Sequence, residues 1–107
     1  QIQNIYVKDH IDAIKSPTLR NLINEILSFT AFHCKDIFIK SSHFGILINY
    51  HKMFFAEIIP TNENTLILTI VNPLSHSYDT EIITENSNIE TIQQQIRGIY
   101  NRLAAHG

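Results

Sequence analysis

The chain has 107 residues, 44% of them hydrophobic and 17% charged, which is the composition of one ordinary globular domain. Its formal net charge is −2 and its eight basic residues are scattered, which excludes a strongly basic nucleic-acid-binding protein. The one cysteine excludes an intrachain disulfide, and no apolar run approaches the roughly 18 residues that span a bilayer. We therefore expect a cytoplasmic domain with no membrane segment and no metal or other cofactor.

The N-terminal segment lacks the basic and apolar regions of a signal peptide, and it begins with Gln1 rather than methionine. From its length we expect a single α+β domain over residues 1–107, excised from a longer parent or forming its C-terminal part. N-terminal processing would leave the same first residue. Residues 5–15 mix apolar and charged side chains without a clear period. We interpret them as a docking arm or a short helical turn.

The first clear element is a helix that begins at Ser16-Pro17. A serine hydroxyl accepts a hydrogen bond from a free N–H at a helix start, and proline at the first helical position loses no bond. Apolar residues then recur with helical spacing. They are Leu19, Leu22, Ile23, Ile26 and Leu27.

After residue 28 the apolar period changes from helical spacing to two, which is typical of strands. We predict strands near residues 37–39, 44–50, 53–59, 65–71 and 80–84, with His51-Lys52 as a tight link between the second and third. Capping residues at 86–88 then introduce a second amphipathic helix with an isoleucine-rich stripe. The predicted fold is α+β: an antiparallel meander of about five strands, with both helices on one sheet face.

The opposite sheet face is a candidate interface, because Phe55 and Ile67 are expected to add apolar area there. Scattered exposed apolar groups are the alternative interpretation. The aromatic residues of the strands offer two interpretations, a base-stacking platform and core packing. Core packing is favoured because these residues lie in the most apolar segments. These aromatic residues are Phe44, Tyr50, Phe54 and Phe55.

Six histidines invite a metal hypothesis, although their spacings fit no zinc template. The candidate ligands of a small metal-dependent hydrolase are His43, His51, Asp36 and Glu57. A nuclease-type magnesium site would need a lysine two residues after Glu57, and that position is an isoleucine. Cys34 next to His33 offers a nucleophile only if the geometry brings a base to it. Surface histidines and a buried cysteine are the favoured interpretation.

For nucleic acid, the sequence offers one candidate groove, and binding there would be salt-sensitive. Its residues are Lys35, Lys40, Lys52, Arg97 and Arg102. A phosphate-binding glycine loop is excluded because none of the three glycines opens a helix after a strand.

Three segments together resemble a small uncharacterised bacterial domain of unknown function. They are Tyr6-Val7-Lys8-Asp9-His10-Ile11, Phe55-Ala56-Glu57-Ile58-Ile59-Pro60 leading into Leu66-Ile67-Leu68, and Ile96-Arg97-Gly98-Ile99-Tyr100. That domain often lies C-terminal to a restriction-type, nuclease-like domain in proteins described as predicted endonucleases or transport proteins. The resemblance implies an accessory domain rather than a catalytic one.

Three functions remain open on these grounds. The leading hypothesis is a non-catalytic accessory domain that binds a protein partner or a flanking domain, or that forms a homodimer. The second is a nucleic-acid-binding module of a restriction-type protein. The third is the small metal-dependent hydrolase.

Overall fold

A computed structural model of the chain describes residues 2–106 and the side chains of residues 7–105. Gln1, on which the expectation of a trimmed chain rests, lies outside the described residues. Within them the elements follow the order α1 (Ile2–Asp12), α2 (Pro17–His33), β1 (Ile37–Ser41), β2 (Ile46–Tyr50), β3 (Met53–Pro60), β4 (Leu66–Asn72), β5 (Ser77–Ile83) and α3 (Ile89–His106). The predicted α+β class is confirmed.

The N-terminal segment forms a full helix, α1, rather than an arm or a short turn. Helix α1 contacts β1 and α2, and its residues Val7 and Ile11 pack against the core. His10 Nε2 lies 3.1 Å from the carbonyl oxygen of Ser42, which links α1 to the loop before β2. Contacts with the rest of the fold therefore stabilise a helix whose own apolar pattern is weak.

Helix α2 begins as the sequence predicts. The Oγ atom of Ser16 accepts a hydrogen bond from the N–H of Leu19 at 3.2 Å, and Pro17 occupies the first helical position. The apolar stripe of α2 is buried, and Thr30 donates its hydroxyl hydrogen to the carbonyl oxygen of Ile26 at 2.8 Å. The helix ends before Cys34, whose N–H still bonds to the Thr30 carbonyl oxygen.

Helix α3 also begins at a predicted cap. The side-chain oxygen of Asn88 accepts from the N–H groups of Glu90 and Thr91, at 2.9 and 3.2 Å. Ile92 and Ile96 are buried on its inner side. Helix α3 contacts both α2 and β4, so both predicted helices lie on the same face of the sheet.

The five strands form one antiparallel sheet in the order β1-β2-β3-β4-β5, which is a simple meander. The predicted link His51-Lys52 joins β2 to β3, and His51 adopts a left-handed φ of 55°. Asn64 and His76 have similar positive φ angles in the next two connections. Positive φ at short connections lets successive strands reverse direction without a glycine.

The pairing of β2 with β3 contains a β-bulge. Ile48 lies opposite Ala56, but Asn49 lies opposite Phe54, so Phe55 is the extra residue on β3. A bulge shifts the alternation of side chains between the two faces by one residue. Phe55 and Ala56 consequently both lie in the core.

The helices cover one face of the sheet, which we call the inner face, and the core lies between them and β1–β4, with Ile83 at the end of β5. The other face, the outer face, carries no helix among the described residues. Strand β5 is exposed along its length except at Ile83. The described part of the chain contains no helix that is long and apolar enough to cross a membrane.

Candidate functional site

The outer face has an ordered arrangement of side chains, because the antiparallel register aligns outward residues in rows across the strands. The row nearest the β2–β3 turn is largely aromatic, the middle row is polar, and the third row is made of isoleucines. The aromatic row consists of Phe38, Asn49, Phe54, Val71 and Tyr78. The polar row consists of Lys40, Leu47, Glu57, Thr69 and Thr80, and the isoleucine row of Ile59, Ile67 and Ile82.

The β3–β5 side of the outer face is apolar. The rings of Phe54 and Tyr78 meet edge to face with centroids 5.3 Å apart, and Tyr78 remains 62% exposed. Ile82 on β5 is 56% exposed. We call this surface the apolar patch, and its members are Phe54, Ile59, Ile67, Val71, Tyr78 and Ile82.

Beside the patch, in the polar row, Glu57 is the one carboxylate that the register places among the outward residues of β3–β5. The Ser42 hydroxyl donates to Glu57 Oε2 at 2.7 Å and accepts from the N–H of Gly45 at 3.0 Å. The charge of Glu57 is therefore held toward the β1–β2 loop rather than over the apolar side chains.

The β1–β2 side of the outer face is different, because it contains an open cavity of about 790 Å³ with two lysines in its wall. Phe38 stands at its edge and is 58% exposed. We call this surface the basic corner, and its lining residues are Phe38, Lys40, Asn49, His51, Lys52 and Met53.

Of the five predicted nucleic-acid-binding residues, the structure brings together Lys40 and Lys52 in the basic corner. Lys35 lies in the turn before β1, where its N–H donates to the hydroxyl of Tyr100 at 2.9 Å. Arg97 and Arg102 are exposed on α3, which packs on the inner face. One groove containing all five residues does not form.

The four candidate metal ligands do not meet at one point. His51 and Asp36 lie 3.7 Å apart, both largely exposed, while Glu57 bonds to Ser42 and His43 packs edge to face on Phe44. No cluster of three or more potential metal ligands occurs among residues 2–106. A tetrahedral or octahedral ion needs more convergent ligands than this pair supplies.

The prediction that Phe55 contributes to the outer face is wrong. Phe55 is fully buried in the core, because the β-bulge turns it inward. Ile67 does point outward and is half-buried in the isoleucine row. Of the four aromatic residues for which core packing is predicted, Phe55 and Tyr50 are buried. The prediction is wrong for Phe44, which is 67% exposed, and for Phe54, which lies half-buried on the outer face.

Cys34 is buried at the end of α2, with only 4% of its surface exposed. This burial raises the pKa of the Cys34 thiol, and the positive charge of Arg97 partly opposes the shift. A reactive cysteine needs a lowered pKa and access to solvent. Cys34 therefore behaves as a core side chain, as the sequence analysis favoured.

Several outer-face residues are not among the sites predicted from the sequence, and Phe38, Tyr78 and Ile82 are three of them. For Phe38 a signal was present, since Ile37 and Ile39 alternate with it and point inward. For Tyr78 there was none, because residues 77–79 were expected to be a loop.

Comparisons with protein-family models, with curated proteins and with solved structures find no match for this chain.

Proposed function

We propose that this chain is a non-catalytic accessory domain that associates with protein partners through the apolar patch, and that its first partner is a second copy of itself. The observation that carries the proposal is an outer sheet face that bears large apolar side chains and no covering helix. Contiguous exposed apolar surface of this kind is typical of interaction sites.

The charge pattern of the patch fits a second copy. Two identical faces can meet only if they do not place like charges against each other. The patch itself contains no charged side chain, and the charge of the neighbouring Glu57 is satisfied by Ser42. Threonines rather than charged residues fill the polar row on β4 and β5, at Thr69 and Thr80.

The free edge of β5 is a poor alternative route to self-association. Antiparallel pairing of two β5 strands about Thr80 sets Asp79 of one copy opposite Glu81 of the other, twice. Like charges directly opposite each other destabilise a strand pair, and charged residues at an edge are a common protection against such pairing. The contact is therefore placed on the sheet face rather than on its edge.

The size of the patch favours a weak, reversible dimer. Three strands about 4.8 Å apart and about 20 Å long offer roughly 300 Å² of sheet area. A standard stable interface buries about 800 Å² on each partner. Two such faces would stack about 10 Å apart, as sheets do in β-sandwiches.

An accessory role agrees with the resemblance to the bacterial domain that accompanies nuclease-like domains. In such a parent, self-association of this domain would bring two neighbouring catalytic domains together. A buried, free Cys34 is compatible with a reducing compartment, and the cytoplasm is the setting we propose.

Sedimentation velocity of the wild type from about 10 µM to 1 mM tests the proposal. The expected mass rises from 12.3 kDa toward twice that value. Ile82→Lys places a charge in the patch and is expected to give a monomer throughout. Phe32→Lys adds the same charge at an exposed apolar residue of α2 and is expected to associate like the wild type. A wild type that stays monomeric at 1 mM overturns the proposal.

A further inference from the structure

The basic corner combines features that the apolar patch lacks. Its cavity of about 790 Å³ lies within the range of about 300–1,000 Å³ that is common for ligand sites. It contains two lysines, an exposed aromatic ring and an amide side chain, and it shares no residue with the patch. The corner and the patch are therefore separate surfaces of the outer face, which adjoin where Asn49 lies opposite Phe54.

We propose that the basic corner binds single-stranded nucleic acid, with one base stacked on Phe38 and flanking phosphates held by Lys40 and Lys52. Proteins that bind single strands combine an aromatic stacking surface with cations that follow the backbone. Both components occur here on the β1–β2 side of the outer face.

The stacking surface is set by the β1 register. Phe38 lies directly opposite Asn49, and both residues point to the outer face. The exposed Phe38 ring can receive the face of a base, and the Asn49 amide offers a donor and an acceptor to a base edge. A duplex hides its base faces by stacking them on one another, so the geometry selects single strands.

The two lysines are available for phosphate. Among the described side chains the one ion pair joins His51 to Asp36, at 3.7 Å, so neither Lys40 nor Lys52 is engaged in a salt bridge. Lys40 is separated from Glu57 by one intervening strand, about 10 Å across the sheet, and Glu57 bonds to Ser42. Because His51 lies 3.7 Å from the carboxylate of Asp36, we assign the phosphate contacts to the lysines alone.

Two phosphate contacts predict a shallow salt dependence. For single strands, the slope of log affinity against log salt is about −0.7 for each phosphate neutralised, or about −1.4 here. Affinity is then expected to fall about sevenfold between 50 and 200 mM salt. A protein with a large basic surface would show a much steeper loss.

Fluorescence anisotropy with labelled eight-nucleotide oligo-dT and oligo-rU tests the proposal. Lys40→Ala and Lys52→Ala are each expected to weaken binding and to reduce the slope by about 0.7. Phe38→Ala is expected to weaken binding at least about fivefold at every salt concentration without changing the slope, and Phe38→Trp to retain it. All three positions are on the surface, and circular dichroism confirms that each variant is folded.

The matched controls are Lys15→Ala, in the loop between α1 and α2, and Phe44→Ala, an exposed aromatic residue outside the corner. Both are expected to bind like the wild type. Absence of binding at 50 mM salt overturns the proposal. It is also overturned if Lys15→Ala loses as much affinity for the oligonucleotide as Lys40→Ala or Lys52→Ala does. Equal affinity for a duplex, or equal competition by polyglutamate, also overturns it, because either result means binding without stacking.

Discussion

Gly45 and Ile58 approach each other so closely that a Cβ atom at position 45 would overlap the carbonyl oxygen of Ile58. The same Cβ would stand 3.0 Å from the α-carbon of Ile59. Both neighbours are backbone atoms of β3, which cannot turn aside as a side chain can. The backbone at the start of β2 therefore packs directly against the backbone of β3, and only glycine fits at position 45.

Replacement of Gly45 by alanine is expected to lower the free energy of unfolding by about 1–3 kcal/mol, because the strands must move apart. Gly98→Ala is the matched control. No atom lies within 4 Å of a Cβ at position 98, so alanine is expected to stabilise α3 by about 1 kcal/mol. Urea unfolding measures both changes, and a Gly45→Ala protein as stable as the wild type contradicts the close approach.

Ser16 connects two distant parts of the chain. Its hydroxyl caps α2 by accepting from Leu19 and donates to the carboxylate of Glu85, beyond β5. Ser16→Ala is expected to lower the free energy of unfolding by about 0.5–2 kcal/mol. Ser28→Ala, at an exposed position inside α2, is expected to raise it by a few tenths. Similar effects of the two changes in urea unfolding would show that Ser16 is not a cap.

The bulge in β3 places Phe55 on the inner face and leaves Phe54 on the outer face. Phe55→Ala empties a fully buried site and is expected to cost about 3–5 kcal/mol. Phe54→Ala removes a half-buried ring and its edge-to-face contact with Tyr78, at a cost of about 1 kcal/mol. Thermal or urea unfolding separates the two variants, and a larger loss for Phe54→Ala would mean that the bulge is misplaced.

Burial raises the pKa of Cys34, so the folded state holds the thiol proton more tightly than the unfolded state. The contribution of this pKa difference to the free energy of unfolding is fully present below the ordinary thiol pKa of about 8.5. It is lost as pH rises through the pKa of the thiol in the folded state. The thiol is therefore expected to react with a disulfide reagent at pH 8 far more slowly in native than in urea-unfolded protein.

Arg97→Ala is the companion variant for this measurement, because it removes the charge that lowers the Cys34 pKa. It is expected to slow the native reaction further. Equal rates in folded and unfolded protein would show that Cys34 is accessible and not raised in pKa.

Much of the fold could be predicted because local signals were unambiguous. Ser16-Pro17 and Asn88 mark helix starts by their own chemistry, and alternating apolar residues mark β2 and β4. The full length of α1 could not be predicted because apolar and charged residues mix in it without a clear helical period. Residues 77–79 have no apolar alternation, because β5 is exposed except at Ile83 and Asp79 on the inner face remains in solvent.

The candidate sites could be predicted only in part, because they depend on pairing between strands. A bulge is a property of two strands together, and nothing in the residues around Phe55 reveals that its side chain turns inward. Lys40 and Lys52 come together because β1, which carries Lys40, pairs with β2, and the turn after β2 carries Lys52. Their association with Phe38 depends on which face the helices cover.

The most direct test of self-association through the outer face is a dilution series of ¹H–¹⁵N correlation spectra of the wild type, from about 20 µM to 1 mM. We predict concentration-dependent shifts concentrated at Thr69, Thr80 and Ile82, with none at Phe32 on α2. Spectra that do not change with concentration, or that change mainly on the helices, would contradict the account.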